Sequence, residues 1–418
     1  MTGATRSLLA LLLGLGLGLG LQASHATELI GFARALKPIG TLWLAGLQMT
    51  LVPMIFALVV TGVADWAGRG GGRTLGFALG LFLALAAAGA LGAAGLMTAA
   101  LSLWPPVAHV GGGAAAAVAA PGGIPSLGEQ FVALVPTNPV AAMAQMQVAP
   151  MVVFALVLGL ALARIGPRER EAILTVLNGV ARAMLVVVDW VLLAAPVGVF
   201  VLALQVAMTE GAAAAGVVAQ AVLMSSAIVA VALACCYLVA WLGGGVPILA
   251  FARAAVGPQA VAAGTTSSMA SLPAMVEAAE RSLDMPAATA GTVLPLAVSV
   301  FRFGNVTLIA GSAVFAAHAA GLQPSLVQIL VMGLVIVLTN IGIAGLPAAA
   351  VLYAAEAPAF QALGAPLDFL PLLIATAALP DVLDTACNVT ADLAAATVVH
   401  RFARRRTKTE AAQAGSPA

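Results

Sequence analysis

The chain has 418 residues, of which 62% are hydrophobic and only 8% charged, more apolar residue than a soluble core can use. Its formal net charge of +1 points away from a nucleic-acid partner. With a mean hydropathy of +1.10 and several apolar runs beyond the roughly 18 residues that read as a membrane span, it is an all-α polytopic membrane protein, with membrane lipid as a constant partner.

In chain order, MTGATRSLLALLLGLGLGLGLQASHA (1–26) has two readings. It has the charged start, apolar run and small-residue end of a signal peptide. It also reads as a first span whose glycines at 14, 16, 18 and 20 allow close helix packing. Further spans are expected over 39–64, ending near Asp65, and over 75–102, 173–208 and 217–242. PPVAHVGGGAAAAVAAPGGIPSLG (105–128) is rich in Gly, Ala and Pro and reads as an external linker. LVPTNPVAAMAQMQVAPMVVFALVLGLALA follows as a helix broken near Pro136–Pro139 and Pro150. Positive charge gathers at Arg69 and Arg73, at Arg164, Arg168 and Arg170, and in the tail RFARRRTK (401–408), and such basic ends face the cytoplasm. Cys235, Cys236 and Cys387 lack metal-ligand spacing and read as small packing residues.

The second half is less regular. Residues 246–285 contain PQAVAAGTTSSMASLPAMVEAAERSL, with five hydroxyl residues at its centre and flanks too short for two spans. This predicts a re-entrant hairpin. Residues 326–361 repeat the pattern, with Asn340, Gly342, Gly345 and Pro347 at the tip. Between them, 294–321 is apolar except for Arg302, Gly304, Asn305 and Thr307 near its middle, where the helix is expected to unwind at Gly304. Unwound backbone at membrane depth is tolerated only inside protein or beside a cavity. Paired interrupted segments in two repeats point to a transporter's binding site.

DVLDTACNVTADL (381–393) places three carboxylates in an apolar setting. On a helix, Asp381, Asp384, Thr385, Asn388 and Asp392 share an arc of roughly 100°, with Val382, Leu383, Ala386, Val389 and Leu393 opposite. Ionisable groups within the bilayer cost a few kcal/mol and mark function by default.

These features together resemble the glutamate transporter family, the dicarboxylate/amino acid:cation symporters, over nearly the whole chain. LVPTNPVAA…PMVVFALVLGLAL is similar to the approach and fourth span. SSMASLP (267–273) resembles the first hairpin tip, GIAGLP (342–347) the second, and DVLDTACNVTADLAAATVV the last helix. The family's Gly-rich first span favours the span reading of the N-terminus. The resemblance implies eight transmembrane helices plus two re-entrant hairpins in inverted repeats, working as an elevator in a homotrimer. It also implies a multi-pass protein of the bacterial inner membrane with a cytoplasmic C-terminus. Residues 1–245 would supply the scaffold, together with the transport-domain helices 75–104 and 217–242. Residues 246–400 would form the transport core: hairpin 246–285, broken helix 286–320, hairpin 325–365 and last helix 367–399. Residues 401–418 would be the tail.

Carried over by position, the resemblance makes Asp381 the acceptor of a substrate amino group and Thr385 a substrate contact. Asn388 and Asp392 become cation ligands, as for sodium, together with Gly304. Ser267 and Ser268 would meet the substrate's α-carboxylate; the plainer role for them is a helix cap. The backbone at Ala344 and Gly345 would close over the substrate. No cofactor is implied beyond a coupling Na+ or H+.

Two departures redirect the reading. Where acidic-substrate members keep an arginine in the last helix, this chain has Asp384, so a neutral or cationic amino acid fits better than a dicarboxylate. Where the family has Asn-Met-Asp-Gly-Thr in the broken helix, this chain has Phe301-Arg302-Phe303-Gly304-Asn305, so at least one sodium site should be missing. Arg302 would then replace a bound cation, paired with Asp384 or Asp392. Alternatively it binds a substrate carboxylate and restores acidic substrates. Glu210, Glu277, Glu280, Asp65 and Asp189 read as interfacial or loop charges, and His318 as structural, with a proton relay as its other role. No HExxH, GxSxG or P-loop pattern supports an enzyme, and a channel would favour a ring of like residues over paired broken hairpins.

Overall fold

A computed structural model describes residues 3–24, 27–68, 73–107, 132, 135–210, 212–342 and 348–414. Helix is the only regular structure among them, as the absence of water at membrane depth demands of each backbone polar group. Among the described residues, five helices are long and apolar enough to cross a membrane: Gly76–Leu103, Pro167–Val188, Ala215–Gly244, Thr289–Ala319 and Pro380–Arg404. The chain divides into two compact units.

The first unit comprises residues 1–68, 94–225 and 309–378. Its α1 (Gly3–Ser24) packs along α8 (Ala195–Glu210). The seam depends on two of the four glycines. A Cβ on Gly14 would lie 2.5 Å from the Phe200 carbonyl oxygen, and one on Gly18 would lie 2.6 Å from Ala207 Cβ. Gly16 and Gly20 face open space. Helical spacing puts positions 14 and 18 on one side and turns the intervening ones away.

Helices α2 (Thr27–Ala35) and α3 (Lys37–Gly68) follow. The run expected as one span over 173–208 is two helices, α7 (Pro167–Leu193) and α8. The break falls at Ala194, two residues before Pro196, which has no N–H to continue the ladder. Trp43 Nε1 of α3 donates to the Val191 carbonyl there, at 2.9 Å. The break expected near Pro136–Pro139 and Pro150 also moves. Asn138 caps α5 (Pro139–Ala144), accepting from the Val140 and Ala141 N–H groups. The chain turns at Met146 (φ 54°), and Pro150 sits in the first turn of α6 (Val148–Leu162), where a missing N–H costs nothing. Most of the linker expected at 105–128 lies outside the described residues. Helices α14 (Leu326–Gly342) and α15 (Ala348–Leu363) form an adjacent pair packed on α3 and α6. The His318 ring bonds the Val314 carbonyl one turn back, at 2.9 Å.

The second unit comprises residues 69–93, 226–308 and 379–418. It takes the first part of α4 (Arg73–Leu103) and the end of α9 (Ala212–Leu238), which runs into a π-turn at Val239–Gly244. Helices α10 (Ile248–Thr265) and α11 (Ser268–Ser282) then pack as a pair. After them come α12 (Ala287–Val300), the start of α13 (Phe303–Ala319) and nearly all of α17 (Ala378–Ala414). The last helix therefore begins later than residue 367 and runs on through the basic tail. A 3-10 turn (Leu367–Phe369) and the short α16 (Leu370–Thr376) occupy the preceding stretch. The Arg401 guanidinium of α17 donates to the Leu242 and Gly243 carbonyls at 3.0 and 3.1 Å, satisfying orphan acceptors of the π-turn.

Candidate functional site

The interruption between α12 and α13 lies at Phe301–Arg302 and not at Gly304. Phenylalanines on either side of Arg302 hold it open. The Phe301 ring stacks on Phe82 of α4, with centroids 5.1 Å apart and planes within 11°. Phe303 lies against Gly89, where a Cβ would come within 2.5 Å of its ring. Phe82 and Gly89 are two turns apart on one face of α4, so that helix receives both rings. Arg302, half-buried, is left between two anchored neighbours.

Gly304 belongs to the first turn of α13, whose N–H groups have no partners within the helix. The Asn388 Oδ1 of α17 supplies the acceptor: the Gly304 N–H donates to it at 2.8 Å and the Asn305 N–H at 3.4 Å. Glycine is required because α17 comes so close. A Cβ at 304 would stand 2.5 Å from the Asp384 carbonyl oxygen and 2.9 Å from Cys387 Cβ. The Thr307 hydroxyl donates to the Gly304 carbonyl at 2.7 Å.

On α17 the acidic stripe is buried from Asp384 onward, with Asp381 half-buried at its start. Asn388 Nδ2 donates to Asp384 Oδ1 at 3.2 Å. The Thr385 hydroxyl is turned back to the Asp381 carbonyl at 2.8 Å. Asp392 is 1% exposed, and neither carboxylate oxygen has a hydrogen-bond partner. Asn305 Oδ1 is likewise buried without one. The oxygens left over on α13 and α17 are thus all acceptors, and what this region lacks is donors or positive charge. Arg302 is the cation at the break that leads into α13. No carboxylate lies within 4.0 Å of it among the described residues.

The residues present fit a cation unevenly. Asp392 offers two unused oxygens, whereas Asn388 Oδ1 already accepts two N–H groups, which fills its lone pairs.

The family model described as the sodium:dicarboxylate symporter family matches residues 4–402. The chain belongs to that family. The proton/glutamate-aspartate symporter of Escherichia coli is 29% identical over 281 residues, 66% of this chain and 63% of that protein. Human neutral amino acid transporter A is 29% identical over 280 residues, 63% of this chain and 49% of that protein, so the chain spans about half of its length. The proton/sodium-glutamate symport protein of Bacillus caldotenax is 26% identical over 388 residues, 88% of each chain.

Of the residues that the symporter-family resemblance singles out, Arg302, Gly304, Asn305, Asp381, Asp384, Thr385, Asn388 and Asp392 all fall in the second unit, on α13, its approach and α17. Ser267 and Ser268 are in the same unit, at the turn between α10 and α11. Thr266 takes a left-handed conformation there (φ 46°). Ser267 is the N-cap of α11, its hydroxyl oxygen accepting from the Ala270 N–H at 3.2 Å, and Ser268 opens that helix, half-buried. Ala344 and Gly345 lie outside the described residues.

One polar group of this symporter-family chain escaped the sequence reading. Gln259 Nε2 on α10 donates to the Tyr237 hydroxyl at 2.9 Å and to Thr390 Oγ1 at 2.8 Å. It ties α9, α10 and α17 together behind the acidic stripe. Its signal was a lone glutamine in the small-residue arm PQAVAAG, overshadowed by the hydroxyl run that follows.

Proposed function

We propose that the chain is a secondary active symporter that moves a small amino acid, neutral or cationic, coupled to Na+ or H+. One observation carries this reading: a buried surplus of carboxylate on α17, where Asp384 and Asp392 are both buried and Asp392 has no hydrogen-bond partner. An ammonium group, an ion or a proton relieves that surplus, and a second substrate carboxylate adds to it. Asp381, the least buried of the three carboxylates, takes the substrate's amino group. Asp384, where an acidic substrate needs a cation, disfavours its side-chain carboxylate, and Thr385 lies beside it as a further contact.

The paired helices α10/α11 and α14/α15 are re-entrant hairpins, and Ser267 and Ser268 at the turn of the first meet the substrate. The assembly is a homotrimer working as an elevator. It sits in the bacterial inner membrane with its basic C-terminus in the cytoplasm, as the sorting of arginines supports.

A second reading makes Arg302 the receptor for a substrate carboxylate. It is favoured by the absence of a carboxylate within 4.0 Å of that guanidinium. A relative named C4-dicarboxylate transport protein, from Azorhizobium caulinodans, agrees with it (28% identity over 333 residues). Uptake of labelled amino acids and dicarboxylates into proteoliposomes, under sodium and proton gradients, separates the readings. Neutral or basic amino-acid uptake is expected. Gradient-driven uptake of aspartate or a dicarboxylate, lost in Arg302→Met, establishes the second reading instead.

A further inference from the structure

The three carboxylates of α17 do not share their surroundings. Asp384 receives a hydrogen bond from the Asn388 amide. Asp381 is half-buried and lies nearer solvent. Asp392 has both oxygens buried and neither bonded. An uncompensated buried charge costs several kcal/mol, so in the folded protein Asp392 is either neutralised by a proton or served by a positive charge. Asn388 does not complete an ion's shell there, because its side-chain oxygen is held by the first turn of α13.

Arg302 is the cation at this end of α13, two residues before Gly304, whose N–H donates to Asn388 one turn from Asp392, and its guanidinium has no carboxylate within 4.0 Å among the described residues. Phe301 and Phe303 are committed to Phe82 and Gly89 of α4, and the residue between two anchored neighbours in a break is turned away from them. Asp384 and Asp392 lie about 12 Å apart along α17 at 1.5 Å per residue. One guanidinium therefore pairs with one of them at a time, and Asp392 is the one without donors.

We propose that Arg302 is a tethered cation for Asp392. It takes the place of a coupling sodium ion, so that the folded, substrate-ready chain needs no sodium at this carboxylate. The inference rests on the symporter reading for its meaning, but its test does not involve transport. Coupling then falls to a proton, or to a cation bound elsewhere.

The experiment is thermal unfolding of the purified full-length protein in detergent, in choline chloride and in sodium chloride. The wild type is expected to unfold at the same temperature in both. Arg302→Met is expected to unfold earlier in choline and to be restored by sodium. At a salt concentration 100 times the ion's Kd, its folded-to-unfolded ratio rises about 100-fold. Adding Asp392→Asn to Arg302→Met should restore stability in choline and abolish the sodium response, whereas adding Asp384→Asn should not. A wild type stabilised by sodium as strongly as Arg302→Met overturns the proposal, and so does equal rescue by Asp384→Asn. If Arg302→Met cannot be purified, recovery of a monodisperse Arg302→Met/Asp392→Asn protein supports the pairing, and failure of the double variant as well overturns it. None of these results depends on which solute is carried, so a failed uptake assay and a failed tethered cation remain separate findings.

Discussion

Two helix contacts in this chain are built on the same device and serve different ends. In the first unit, α1 meets α8 through Gly14 and Gly18, and each missing Cβ makes room for an apolar or backbone atom. In the second, α13 meets α17 through Gly304, and the space left by its Cβ is filled by the Asp384 backbone and carboxylate and by Cys387. The first seam is dry packing, worth what dispersion between close helices supplies. The second seam holds an amide cap from Asn388 and the buried carboxylate of Asp384. Close approach by glycine is thus a packing device in both places, and function follows from what is brought close.

The largest effect should come from Gly304→Ala. Its Cβ meets backbone, which cannot swing aside, so the cost should reach or exceed the roughly 3 kcal/mol at the top of ordinary overpacking. Chemical unfolding in detergent should show it, with uptake lost. Gly18→Leu in the other seam meets the Leu204 carbonyl oxygen as well as Ala207 Cβ and should cost about as much by the same mechanism, but uptake per folded protein should survive. Loss of transport with retained folding in Gly18→Leu would erase the contrast between the seams.

Asn388→Ala removes the acceptor of the Gly304 N–H and leaves it buried without a partner, at about 1–3 kcal/mol. Asn388→Asp keeps the acceptor and should restore the cap without restoring normal ion dependence, since it adds a charge. Ser267→Ala should lose about 1 kcal/mol of N-cap stabilisation and Ser267→Asp should keep it. A KM that rises in both variants identifies Ser267 as a substrate contact as well as a cap. Gly16→Ala, on the open side of α1, should be neutral or stabilise by up to about 1 kcal/mol through helix propensity. Comparing the unfolding of Gly16→Ala with that of Gly14→Ala checks which face of α1 is the seam.

Much of the architecture could be read from residue order. Apolar runs marked the long helices, because nothing else accounts for twenty-odd consecutive apolar residues. The hydroxyl cluster at 265–268 marked a turn, because Ser and Thr satisfy the open ends of helices. The acidic stripe of α17 was legible from 3.6-residue spacing alone, and so was the oddity of Arg302.

Other features were settled by atoms distant in sequence. The break was expected at Gly304, the flexible residue, yet it falls at Phe301–Arg302 because Phe82 and Gly89 capture the two rings. Gly304 is needed instead for the approach of α17. Of the glycines at 14, 16, 18 and 20, two serve the seam, and only the position of α8 says which two. The run 173–208 looked continuous, because hydropathy does not register the N–H that Pro196 lacks. The roles of Asn388 and Gln259 were set by partners more than 80 and more than 130 residues away. By itself, then, the sequence determined that this is a helical membrane protein with acid on its last helix, since composition and period are local properties. Which carboxylate is satisfied and which is left bare was decided by the tertiary structure, because hydrogen bonds depend on neighbours in space.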